Sequence, residues 1–193
     1  MKAINWEEID DGTGSGNDLP RGGYVMRITK VEDLEDHTNN YGDTYDGIRI
    51  VFEVAEGPQA GFFAKYDKPE FTHEYEFKYS GKDVLDWQPK QFKQFWSKTL
   101  PQSNPGFEWD MNPASLNGKL FGCTIRHYLY QKQDGGDGER TEVQGFYSAD
   151  YIRQGKFKEP VDRIQRGYTP PAQRAEAPAE APAEATPAYE LPF

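Results

Sequence analysis

The sequence predicts a mainly β fold with one helix and a polar tail, and three observations carry that reading. Several segments alternate apolar and polar residues with the two-residue period of a strand that buries one face. One segment, Pro89 to Leu100, instead repeats Phe92, Phe95, Trp96 and Thr99 at three- and four-residue spacings. From about Lys158 the apolar pattern stops, and Ala-Glu-Ala-Pro units take over.

Residues 1–22 read as a flexible lead-in, because 10–23 are rich in Gly and Asp, with Trp6 and Ile9 as possible contacts to the body. The folded region is expected over 23–157. Its first strand is Tyr24 to Val31, with Tyr24, Met26 and Ile28 on one face and Arg27 and Thr29 on the other. Glu32 to Asp46, containing Asn39, Asn40 and Gly42, reads as a long hairpin loop. Ile48, Ile50, Phe52 and Val54 then alternate with Arg49, Val51 and Glu53 as a second strand. Gly57 to Gly61 turns into a third extended segment from Phe62, whose register through Tyr79 is not defined by its pattern. The helix follows. Pro89 suits its first turn, where a missing N–H costs nothing, and Pro101 is expected to stop it. The fourth strand, Lys119 to Gln131, sets Phe121, Cys123, Ile125 and Leu129 against Thr124, Arg126, Tyr128 and Tyr130. Asp134 to Gly138 forms a hairpin tip, and Thr141 to Ser148 returns as the fifth strand. Residues 158–193 are expected to be a disordered tail, since Ala/Pro/Glu repeats cannot bury a core. The order β-β-β-α-β-β is that of a five-stranded OB-type barrel.

Composition narrows the function classes. The formal net charge is −10, and aromatic residues make up 15% of the chain, with 12 Tyr and 12 Phe. Nucleic-acid binding on such a chain requires a local basic and aromatic strip, because phosphate neutralisation supplies most of the affinity. Cys123 is the only cysteine, which excludes an intrachain disulfide and a Cys-based zinc site and fits a reducing cytoplasm. No apolar run approaches the ~20 residues of a membrane span. His37, His73 and His127 lack metal-ligand spacing, and the Asp/Gly run at 134–138 reads as a hairpin rather than a calcium loop. Asp33, Glu35, Asp36, Asp43 and Asp46 read as a solvated loop in preference to a nuclease metal cluster. No nucleophile–base pair assembles, so no enzyme, cofactor or metal is expected.

The chain finishes Tyr189-Glu190-Leu191-Pro192-Phe193. This resembles the C-terminal tip of bacterial single-stranded DNA-binding proteins, in which a short acidic segment ends in Ile/Leu-Pro-Phe. The resemblance implies that Glu190, Leu191, Pro192 and Phe193 dock on replication or recombination enzymes. The Phe193 ring would fill an apolar pocket, and its α-carboxylate would meet an Arg or Lys at the rim. Three further stretches resemble small phage and prophage proteins of Gram-positive bacteria, encoded among replication and recombination genes. They are Leu19 to Tyr24, Ser103 to Trp109 with Leu116 to Gly122, and Ser148 to Lys158, so the similarity spans roughly residues 19–160.

Together these features point to a phage or prophage single-stranded DNA-binding protein, acting in the cytoplasm of a bacterial host and binding without sequence preference. It would be free of membrane and a possible homo-oligomer. An acidic protein-interaction module without DNA binding is the main alternative, and a metal-dependent nuclease a lesser one. OB-type barrels bind single strands across strands two and three and the adjoining loops, using flat rings and cations. The candidates there are Arg27, Tyr41, Tyr45, Arg49, Lys65, Tyr66, Lys78, Tyr79 and Trp87, with Arg126, Tyr128, Tyr130 and Lys132 on a neighbouring strand.

Overall fold

A computed structural model describes residues 19–65 and 73–171. The lead-in before Leu19, the expected tail after 171, Tyr66 and the docking tip at 190–193 lie outside the described residues.

One six-stranded sheet dominates, with strands β1 (Gly22–Thr38), β2 (Thr44–Val54), β3 (Glu74–Gly81), β4 (Leu120–Gln131), β5 (Asp137–Tyr147) and β6 (Arg163–Ile164). The order is β3-β2-β1-β4-β5, every neighbour antiparallel, and β6 adds to β4 in parallel. Among the described residues no ladder joins β3 to β5, so the sheet does not close into the expected five-stranded barrel. Rings fill that seam instead. Phe146 on β5 lies 4.8 Å from Tyr75 and 5.1 Å from Phe77 on β3, and it also touches Phe95 and Phe121.

The hairpin loop expected over 32–46 is mostly strand. β1 runs on to Thr38, and only 39–43 turn, held by Asn39, whose side-chain oxygen accepts from the Tyr41 and Asp43 N–H groups. The helix also differs from expectation. It begins as α1 (Trp87–Gln94), widens into a π-helical turn over Phe95–Thr99, and continues through Pro101 as α2 (Leu100–Ser103). Pro101 does not stop it. A proline clashes with an ordinary helical register, and the wider turn precedes it so that Pro101 falls in the first turn of α2.

Met26, Ile28, Ile48, Ile50, Phe52, Val54, Phe77, Phe95, Phe121, Cys123 and Ile125 form the core, the faces assigned by alternation. Burial pushes the Cys123 thiol well above its ordinary value, so it behaves as a small apolar side chain.

Two elements escaped the periodicity. Helix α3 (Ala149–Arg153) starts at Ser148, whose Oγ accepts from the Tyr151 N–H, and covers Gly122 of β4. A Cβ at Gly122 would stand 2.5 Å from Ile152 and 2.7 Å from the Ser148 carbonyl, so only Gly admits this helix. The second is β6, which takes up the edge of β4 where β1 leaves it.

Contacts therefore continue past the boundary expected at 157. The Gln165 N–H donates to the Leu129 carbonyl, and the Gln131 N–H donates to the Gln165 side chain. Tyr168 donates to Asp137, and Asp162 accepts from the His127 N–H. Truncation after Glu159 should accordingly lower the thermal midpoint by about 5 °C, equivalent to roughly 2 kcal/mol for a domain of this size. Truncation after Pro171 should leave it unchanged. Calorimetry of the two truncations checks this, and equal midpoints would show that the 160–171 strap adds nothing.

Candidate nucleic-acid interface

The expected site residues fall into separate groups. Tyr45, Arg49 and Lys78 come together on the outer face of β2 and β3, but carboxylates already occupy them. Arg49 donates to Glu76 through Nη2 at 2.7 Å and Nε at 3.0 Å, and to Glu32 through Nη1 at 2.9 Å. Tyr45 is only 4% exposed, donates to Glu76, and carries the Lys78 ammonium 3.9 Å from its ring centre. Burial, with the Glu76 hydrogen bond, pushes the Tyr45 hydroxyl up to about 12. This face neutralises itself. Arg27 stands exposed on β1 apart from this group, opposite Glu53.

Tyr41 is 91% exposed at the β1–β2 turn, and Trp87 is 52% exposed at the start of α1. Tyr79 stacks on Phe92 at 5.5 Å, and its hydroxyl is raised by burial and then by Asp33, Asp46 and Glu35. The surroundings of Tyr79 are thus acidic and oppose a phosphate backbone. Lys65 is exposed in a short 3-10 turn, Phe63–Lys65, apart from these groups.

The fourth group lies on the β4–β5 hairpin. Register sets Arg126 opposite Glu142, Tyr128 opposite Arg140 and Tyr130 opposite Gly138. The Tyr128 and Tyr130 rings stack with centroids 5.5 Å apart and planes inclined by 19°. Gly138 lets the Tyr130 ring lie against β5, since a Cβ there would come within 2.6 Å of it and displace the ring. Two guanidiniums flank Tyr128. Arg163 lies 4.0 Å and Arg140 5.0 Å from its ring centre. Glu142 holds both Arg126 and Arg163, each at 2.8 Å. Arg140 makes no ion pair among the described residues. Lys132 is exposed just beyond, in the turn at the hairpin's end.

Arg140 and Arg163 are the residues that sequence reasoning missed. Arg140 precedes the point where the fifth strand was expected to begin, and Arg163 falls in the segment assigned to the tail. A cleft of about 460 Å³ adjoins this group at the open seam, lined by Glu74, Tyr75, Tyr130 and residues 140–143. Among the described residues no three His, Cys, Asp or Glu side chains gather as metal ligands, and no helix is long and apolar enough to cross a membrane.

A scan against protein-family models finds no match, and a search of curated proteins returns none.

The carboxylates on the β2–β3 face set an acid limit. Burial alone would raise the Glu76 carboxyl, but hydrogen bonds from Arg49 and Tyr45 outweigh it and hold the group below its ordinary value of 4.5. Glu32 is likewise held low, chiefly by Lys30 and then by Arg49. A lowered folded pKa stabilises fully above the unfolded value and is lost as pH falls through the folded one. The thermal midpoint should therefore drop on acidification below the unfolded Glu value of 4.5. Glu76→Gln should flatten that drop, which a pH series of melts measures.

Proposed function

We propose that this protein binds single-stranded DNA on the β4–β5 hairpin face, through an OB-type arrangement of its sheet. The observation that carries the reading is the Tyr128–Tyr130 stack flanked by Arg140 and Arg163 beside an open cleft. Bases stack on such rings whatever their identity, and guanidiniums follow the phosphates. The strand order, with the helix between β3 and β4, supports the OB-type reading, the β3–β5 seam being the open side. The resemblance to phage and prophage proteins favours a role in replication or recombination inside a bacterial host.

The expected emphasis on strands two and three shifts in this reading. Arg49 is already held by three carboxylates, whereas Arg140 has none to release. Tyr130→Ala should weaken binding to a mixed-sequence single strand by ~1–3 kcal/mol, the value of one stacked base, and Arg140→Gln should weaken it and flatten its salt dependence. Arg49→Gln should leave affinity unchanged. Fluorescence anisotropy at low salt, repeated as salt is raised, measures all three. Loss of binding in Arg49→Gln alone would return the site to β2–β3, and no binding by the wild type would favour the acidic interaction module that the net charge of −10 suggests.

The tip at Glu190–Phe193 would then recruit a replication or recombination enzyme while the hairpin holds DNA. Deleting Phe193 should abolish capture of a purified partner enzyme and spare DNA affinity. Equal capture by both forms would remove the tip from the mechanism.

A further inference from the structure

We propose that the cleft between β3 and β5 receives one unstacked base of a bound strand, and prefers cytosine or adenine, with an amine at the 4- or 6-position, over thymine, with a carbonyl there. This rests on the single-strand reading above and adds to it a pocket and a bias. The cleft's volume of about 460 Å³ lies in the range of pockets that hold one small aromatic ligand and is too small for a duplex. Tyr130 is both a wall of the cleft and the end of the Tyr128–Tyr130 stack, so a base entering there extends the stack.

Two polar groups of the cleft have hydrogen-bonding capacity to offer a base, a buried hydroxyl and an exposed carboxylate. Thr141 is 4% exposed, and its Oγ1 has no hydrogen-bond partner among the described residues. An unmade hydrogen bond on a buried hydroxyl is costly, so a partner that reaches it is favoured. Thr141 belongs to the cleft lining, so a base nitrogen seated there is the partner that this hydroxyl lacks. The second group is Glu74. Glu142 on the opposite wall is saturated by Arg126 and Arg163, but the cation nearest Glu74 is the Arg49 Nε, 3.8 Å away and already donating to Glu76. An ionised carboxylate only accepts hydrogen bonds. It therefore favours the N4 amine of cytosine or the N6 amine of adenine over thymine, whose single N3–H donor is flanked by two carbonyls that a carboxylate repels. Arg140, at the lip, is left for the neighbouring phosphate.

Competition anisotropy with the full chain and equal-length dC, dA and dT homopolymers tests this. The wild type should bind dC and dA at least about ten-fold tighter than dT, the lower end for one hydrogen bond to a charged group. Glu74→Gln, which can donate as well as accept, should bring the three to parity without weakening dT. Thr141→Val removes the orphan hydroxyl at nearly constant volume. It should keep or raise the thermal midpoint and still weaken binding about three-fold. Equal wild-type affinity for the three homopolymers, a preference that survives Glu74→Gln, or unchanged binding by Thr141→Val would each overturn the cleft while leaving single-strand binding intact. Failure to bind any homopolymer would instead overturn the reading beneath it.

Discussion

Everything in this fold hangs on a ring cluster that closes a seam hydrogen bonds do not. β3 and β5 are the two ends of the sheet order, and Phe146 reaches from one to Tyr75 and Phe77 on the other. Phe95 from the π-helical turn packs at 4.6 Å on Phe77 and at 5.4 Å on Phe121, so the helix is fixed by the same rings. Aromatic pairs of this kind contribute about 0.5–1.5 kcal/mol each beyond their buried area. Their reach of several ångströms lets two strands stay too far apart for a ladder and still share one core. The consequence is geometric. Where the rings end, toward Glu74 and Tyr75 on one side and residues 140–143 on the other, the seam opens into the cleft.

Charge is organised as locally as packing. Arg49, Arg126, Arg153 and Arg163 each hold one or more carboxylates at close range. Among the described residues, these four guanidiniums meet a phosphate only by releasing a carboxylate. That makes position decisive. On β2 and β3 one Arg faces three carboxylates, whereas on the hairpin three Arg side chains surround a single Glu142 and a tyrosine stack. The two faces have similar residue types, and opposite local balance.

Strands with a clean two-residue period were legible in the sequence, as Met26/Ile28, Ile48/Ile50/Phe52/Val54 and Phe121/Cys123/Ile125 show. The helix was legible in place but not in length, because a proline is read as a stop and a π-helical turn leaves no local signature that outweighs it. Helix α3 is five residues long and β6 two, both too short for periodicity to register. Ser148 with Asp150 was the available signal for α3, a capping hydroxyl followed by an acid in the first turn. Tyr128, Tyr130 and Arg126 were found as a set since they share one strand face. Arg140 and Arg163 were not, because their placement depends on cross-strand register. A bulge between Thr124 and Ile125 shifts that register by one residue, and no pattern along a single strand reveals it.

The 160–171 strap ties the two halves of this picture together. β1 leaves β4 after Ile125, and the freed edge at Tyr128 and Leu129 would otherwise present unpaired backbone groups. β6 satisfies that edge and, by the same pairing, delivers Arg163 to the Tyr128 ring and to Glu142. The segment that protects the sheet edge is thus the one that completes the basic and aromatic group. It then passes Tyr168 and Pro170, which line a second hollow with Leu129 and Lys132 at the hairpin's end. Protection of the β4 edge and delivery of Arg163 to the tyrosine stack are consequences of one short parallel strand.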